Sequence, residues 1–131
     1  MKVLDANFLI DYLNGVDETA EYLLANEGEQ FILPAPAYAE ALVGEGNAPD
    51  GDVAEARADL VWGEVYETDG QTAVVAGEIA DDVGPQGPFL TGMDALIAAV
   101  GRELGAPVVS ADGDLTHSET KKVVDVEEYR D

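Results

Sequence analysis

No cysteine occurs among the 131 residues, so neither a disulfide framework nor a thiolate metal site is available. With a single histidine, His117, and no cysteine, no Ser/His/Asp or Cys/His constellation is evident. Positive charge is almost as scarce: 6 Lys and Arg stand against 28 Asp and Glu, a net charge of −22. Long apolar runs are missing too. The uncharged run near Ala95–Val100 falls far short of the ~18–20 residues of a membrane span. Asp5 and Asp11 interrupt any signal-peptide apolar region, which sets the expectation of a cytoplasmic protein without membrane contact. Internal repeats and low-complexity linkers are not evident.

What remains is 47% hydrophobic, enough for one domain over residues 1–131 with a modest core. A disordered acidic tail would cluster its charge and lack apolar residues. Here 14 acids lie in Met1–Val65 and 14 in Tyr66–Asp131, between apolar segments. A folded domain with an acidic surface follows. Its self-repulsion is tolerable when salt screens it, and at about 1 M the Debye length is roughly 3 Å. Few lysines and many small Ala and Gly residues point to a salt-accumulating halophile.

The chain opens on MKVLDANFLIDYL, a short strand (Val3, Leu4) that delivers Asp5 and turns into a helix bearing Phe8, Leu9, Tyr12 and Leu13. Further helices are expected from Glu18 to Asn26, from Pro36 to Val43 with Gly44 as its stop, and from Val53 to Leu60. Two more are expected, Gln71 to Val83 with Ala73, Ala76, Ala80 and Val83 on one side, and Thr91 to Leu104. Strands are expected at Gln30–Leu33, within Val61–Glu67, at Ala106–Ser110 and at Lys122–Val124. Such alternation predicts an α/β fold, a mainly parallel central sheet with helices on both faces. Right-handed crossovers then bring Asp5 and Asp112, each following a strand, to one edge.

Four acids stand out from the many. Asp5 emerges from a core element, Glu40 lies among Ala37, Ala39, Ala41 and Leu42, Asp94 precedes the apolar ALIAAV, and Asp112 sits in a DGD turn. Each has a bland reading as well: Asp5 suits a helix N-cap, Glu40 is one more solvated acid, Asp94 lies three after Thr91 as in a capping box, and Asp112 is an ordinary turn residue. Converging carboxylates would be costly without a cation, and all-oxygen ligation selects Mg²⁺ or Mn²⁺.

At these residues the sequence resembles the PIN-domain ribonucleases, most closely the VapC-like toxins of VapBC toxin–antitoxin pairs. The likeness rests on LDANFLIDYL, on PAPAYAEAL around Glu40, and on TGMDALIAAVGRELGAPVVSADGDL from Thr91 to Leu115. It implies a PIN-like fold and a Mg²⁺- or Mn²⁺-dependent endoribonuclease whose metal-binding acids are Asp5, Glu40, Asp94 and Asp112. Asn7 matches the small polar residue that orients the first acid, Ser110 the hydroxyl before the last, and Asp114 the second acid of that turn. It implies RNA as substrate and a small antitoxin as partner, and it allows a homodimer. Two departures are visible: Leu115 stands where the family has Phe, and the basic residues that would hold RNA reduce to Arg57, Arg102, Lys121 and Lys122.

A haloacid-dehalogenase-type reading needs an Asp where Asn7 stands, and a receiver-type reading needs a middle acceptor Asp and a late Lys. The remaining alternative is a catalytically weak, PIN-like regulatory or antitoxin-binding module. His117, beyond the Asp112 turn, is expected at the surface.

Overall fold

Strand β1 (Lys2–Leu4) is hydrogen-bonded on both sides, by β2 (Phe31–Pro34) and by β4 (Val108–Ser110). Strands β3 (Glu64–Tyr66) and β5 (Val126–Glu128) complete the order β3-β2-β1-β4-β5, and every pairing is parallel. The computed structural model describes every residue from Met1 to Asp131. Neighbours along a strand point to opposite faces, yet Val3, Leu4, Val108 and Val109 are all 0% exposed, so both faces of the central strands are covered. Seven helices provide that cover: α1 (Ala6–Leu13), α2 (Asp17–Ala25), α3 (Ala35–Asn47), α4 (Val53–Asp59), α5 (Gly70–Val83), α6 (Gly92–Leu104) and α7 (Ser118–Lys121). The fold is α/β, as expected. No helix is long and apolar enough to cross a membrane.

From β1 the chain order runs outward to β2 and β3 on one side and to β4 and β5 on the other. The direction of winding therefore reverses between β1 and β4. In open α/β sheets the crevice at the carboxyl ends of the strands flanking such a reversal is where ligands bind. Asp5 follows β1 and Ser110 ends β4, so the functional residues inherit their meeting point from the strand order.

Several expected boundaries and faces differ. Helix α3 passes through Gly44 and ends at Asn47. A helical glycine costs only about 1 kcal/mol, whereas Pro49 forces the preceding Ala48 into extended backbone (φ −76°, ψ 137°). In α5 the buried residues are Thr72, Ala76, Ile79 and Val83, leaving Ala73 and Ala80 exposed. Both stripes have helical spacing, and the larger Ile79 decides which one turns inward.

The last strand is at Val126–Glu128, and Lys122–Val124 is a turn instead. The Thr120 carbonyl accepts from the Val123 and Val124 amides (3.0 and 2.9 Å), while its hydroxyl donates to the Asp114 carbonyl (2.6 Å). Those bonds close the short helix α7 ahead of the strand. Helix α2, finally, begins at Asp17 and ends at Ala25, each one residue earlier than expected.

In the core, α1 and α6 both pack against the central strands. Phe8, fully buried, meets Tyr129 edge-on at 4.7 Å and Tyr22 at 5.8 Å. Helix α6 lies so close to β4 that a Cβ on Gly101 would stand 2.7 Å from Val108 Cγ2 and 3.0 Å from the Ala106 carbonyl. This close seating holds the start of α6, with Asp94, against the sheet edge.

Gly101→Ala is expected to lower stability by about 1 kcal/mol despite alanine's better helix propensity, because overpacking costs more than propensity returns. Gly77→Ala in α5, where an added Cβ meets nothing within 4 Å, is expected to raise it by roughly 0.5–1 kcal/mol. Thermal melts of both variants in the same salt check the pair of signs.

Candidate metal centre

Asp5 is set by the backbone before any cofactor is considered. As the N-cap of α1 its Oδ1 accepts from the Phe8 amide at 2.9 Å, and its Oδ2 accepts from the Ser110 hydroxyl. Ser110 is 0% exposed and Asp5 2%. The same Ser110 oxygen accepts from the Asp112 amide at 2.9 Å. One hydroxyl thus joins the ends of β1 and β4.

The turn after β4 is equally constrained. Asp112 Oδ2 accepts from the Asp114 and Leu115 amides at 3.0 and 3.1 Å, and the Thr116 hydroxyl donates to the Asp112 carbonyl at 2.8 Å. Leu115, 0% exposed, anchors the turn in the core. Its aliphatic side chain performs there the packing that an aromatic would.

Asp94 is the third residue of α6, and its amide donates to the N-cap Thr91 hydroxyl at 3.1 Å. Thr91 thus caps α6 as foreseen, but the Asp94 carboxylate does not return a bond to the Thr91 amide, so the capping box is only half formed; Asp5 caps α1 as foreseen. Neither prevents the carboxylates from meeting. Asp5, Asn7, Glu40, Thr91, Met93, Asp94 and Asp112 line one cavity of about 220 Å³. At about 30 Å³ per water, it has room for a hydrated cation.

Carboxylate oxygens of Asp94, Asp112 and Asp114 all lie within 4.8 Å of one another. Asp114, from sequence an accessory to that turn, thus belongs to the tightest trio, which Asp5 and Glu40 flank. Only its distance to Asp94 reveals this. Glu40 is exposed: Ala37 and Ala41 face the core, Ala39 and Glu40 turn outward, and Glu40 lines the cavity. Asn7 lines the cavity without a hydrogen bond to Asp5, whose oxygens are taken by Phe8 and Ser110. His117 is exposed and caps α7, its Nδ1 accepting from the Glu119 amide at 3.0 Å.

Electrostatics marks the site as incomplete by itself. Burial pushes the Asp5 carboxyl up to about 6; the Ser110 and Phe8 hydrogen bonds pull it down, and the Asp112 and Asp94 carboxylates raise it further. Asp94 is also raised to about 6, first by burial and then by repulsion from Asp112, with the Thr91 hydroxyl opposing and Asp114 and Glu40 adding to it. No Lys or Arg lines the cavity. Lys2, Arg102, Lys121, Lys122 and Arg130 are each paired with an acid elsewhere, leaving Arg57 the one basic side chain without an ion pair. A donor set made only of converging carboxylates, with no cation of its own, fits a hard divalent ion.

Asp5 holds its proton to about pH 6 when folded, against 3.8 for its ordinary value. The folded state therefore binds more protons in that window, and stability falls as pH rises through it and stays reduced above. Asp5→Asn keeps an N-capping side chain and removes the buried charge. The metal-free variant is expected to melt above wild type at about pH 7.5, by at most about 3 kcal/mol, and level with it at about pH 4. Calorimetry at the two pH values in EDTA measures this, and saturating divalent metal should stabilise wild type more than the variant.

Residues 2–121 of the chain match the PIN domain family. No curated protein sequence matches it. Solved structures do. A toxin–antitoxin complex from Klebsiella pneumoniae contains a chain similar to this one with a TM-score of 0.81 at 17% identity, covering 100% of this chain and 99% of that one. FitAcB from Neisseria gonorrhoeae gives 0.81 at 20% identity, covering 98% of each chain. DNA-bound VapBC from Salmonella typhimurium gives 0.77 at 20%, again over 98% of each. At such identities the likeness is one of fold, and the family match carries the assignment. With a sheet wound outward from β1, acids gathered where the winding reverses and a match over residues 2–121, the chain belongs to the PIN domain family.

Proposed function

We propose that the protein is a Mg²⁺- or Mn²⁺-dependent endoribonuclease, the toxin of a type II toxin–antitoxin pair. The observation that carries this reading is the cavity lined by the carboxylates of Asp5, Glu40, Asp94 and Asp112, with Asp114 close to Asp94 and Asp112 and no basic residue in the lining. PIN domains are generally nucleases, and the solved structures it resembles in fold include toxin–antitoxin complexes.

Asp94, Asp112 and Asp114 would hold the ion, with Asp5 and Glu40 lining the same cavity. When bound, a divalent ion lowers the pKa of its water and offsets the charge that builds on a phosphodiester under attack. Glu40, the exposed acid of the cavity lining, orients the attacking water. Ser110 keeps Asp5 fixed through its hydroxyl, and Thr91 fixes the turn that presents Asp94. RNA is the substrate. A small antitoxin, richer in basic residues than this chain, is the partner, and its attraction to a −22 surface is electrostatic. The protein works in a salt-rich cytoplasm, where screening removes the long-range repulsion between this surface and a polyanion.

A labelled structured RNA incubated in molar KCl with and without Mn²⁺ or Mg²⁺ tests the reading. Cutting is expected only with metal, and less of it in dilute buffer. Ser110→Ala should lose roughly 10- to 100-fold in metal affinity or rate, and Asp94→Asn more than that. A folded wild type that binds metal and leaves every RNA intact would instead establish the regulatory module, a reading the absence of basic residues around the cavity favours.

A further inference from the structure

Of the side chains that line the carboxylate cavity, one offers a hydrogen-bond donor that nothing in the protein uses. Asp5, Glu40, Asp94 and Asp112 present carboxylates, which accept hydrogen bonds and, when ionised, donate none. Ala6 and Met93 carry no N–H or O–H in their side chains. The Thr91 hydroxyl is engaged with Asp94, accepting from its amide at 3.1 Å and lowering the proton affinity of its carboxylate. Asn7 is the remainder.

The Asn7 carboxamide is half-buried, lines the cavity and makes no hydrogen bond within the protein. Trp62 Nε1 is the one buried side-chain polar atom without a partner, so the unpaired amide of Asn7 is open to water. By resemblance its position would serve to orient Asp5. The structure gives that task to the Phe8 amide, at 2.9 Å from Asp5 Oδ1, and to the Ser110 hydroxyl on Oδ2. Asn7 is the second residue of α1, whose start the Asp5 cap fixes, so its backbone is held in place at the cavity.

We infer that Asn7 is the phosphate-binding residue of this cavity, its Nδ2 hydrogens bonding a non-bridging oxygen of the RNA phosphodiester. This inference rests on the nuclease reading above. A phosphodiester that enters the cavity meets four carboxylates and no Lys or Arg, and Asn7 is the one side chain with a free donor to offer it. A lysine in its place would pair with the carboxylates and compete with a divalent ion for them. A neutral amide does not, and its hydrogen bond contains no ion pair for molar salt to screen. A donor already in position when charge builds on the phosphate oxygen stabilises the transition state without reorganising.

The test compares Asn7→Ala and Asn7→Asp with wild type in molar KCl. It measures kcat/KM on a short fluorescein-labelled single-stranded RNA with Mn²⁺, anisotropy of the same RNA, and calorimetric Mn²⁺ affinity without RNA. Asn7→Ala is expected to lower kcat/KM roughly 10- to 150-fold, the worth of one hydrogen bond to a charged group, with Mn²⁺ affinity unchanged. Asn7→Asp should lose at least as much activity while binding Mn²⁺ more tightly, since it removes the donor and adds a carboxylate. Alanine and aspartate both suit the first turn of a helix, and thermal melts confirm that the variants fold.

Unchanged kcat/KM in Asn7→Ala would overturn the inference and leave the amide a solvated surface group. A loss of Mn²⁺ affinity matching the loss of kcat/KM would also overturn it, assigning Asn7 to the ion or to Asp5. Full activity in Asn7→Asp, which keeps an oxygen ligand and lacks the donor, would do the same. If wild type binds the RNA with Mn²⁺ yet cuts nothing, the nuclease reading falls and anisotropy decides this one: weaker binding by Asn7→Ala upholds it, equal binding overturns it. If wild type cuts and Asn7→Ala cuts equally well, the nuclease reading stands and this one falls. No binding and no cutting by wild type would sink both.

Discussion

A single buried hydroxyl, that of Ser110, joins the two strands between which the sheet reverses direction. It donates to the carboxylate that ends β1 and accepts from the amide that begins the turn after β4. Beyond the backbone pairing of β1 with β4, that link ties the Asp5 carboxylate to the turn that carries Asp112. With it, Asp5 is drawn into the protein and Asp112 is placed beside it. The carboxylates are held close although they repel one another, and the raised proton affinities of Asp5 and Asp94 come first from their burial and then from that repulsion.

What balances the repulsion is the rest of the fold. Leu115 roots the turn in the core, and Gly101 lets α6 settle onto β4 so that its first turn reaches the cavity. The site is therefore preorganised by apolar packing and backbone hydrogen bonds, none of which depends on a cation. That suits a chain in which nearly every positive side chain is already engaged. Lys2 with Glu127 and Arg130 with Asp11 tie β5 and the C-terminal residues to the first strand and helix, at 2.5 and 2.8 Å. Recognition of a polyanion is left to whatever occupies the carboxylate cavity and to uncharged contacts near it.

Much of this was legible in the residues. The order of strands and helices followed from apolar runs and their Gly and Pro punctuation, and β1, β4, α1 and α6 lie within a few residues of expectation. Asp5, Asp94 and Asp112 stood out because each follows or precedes a strongly apolar segment. The misreadings have one origin. Gly44 was weighed by its propensity while Pro49 controlled the backbone, and Lys122–Val124 looked like a strand because the hydrogen bonds of Thr120 cannot be read from spacing. In α5 and around Glu40, two helical faces had nearly equal apolar content, and only the neighbouring elements selected one.

The sequence by itself determined the local chemistry: which segments bury, where helices are capped, and that no sulfur, no histidine pair and few cations are available, leaving oxygen ligands as the remaining option. These are properties of short stretches, set by side-chain type and by spacing along one element. Tertiary structure decided which acids share a cavity, that Asp114 joins Asp94 and Asp112 more closely than Glu40 does, and that Asn7 lines that cavity without bonding to Asp5. Those outcomes depend on strand order and on the seating of helices from distant parts of the chain. Distances across elements are fixed by packing, and packing is not written in any one segment.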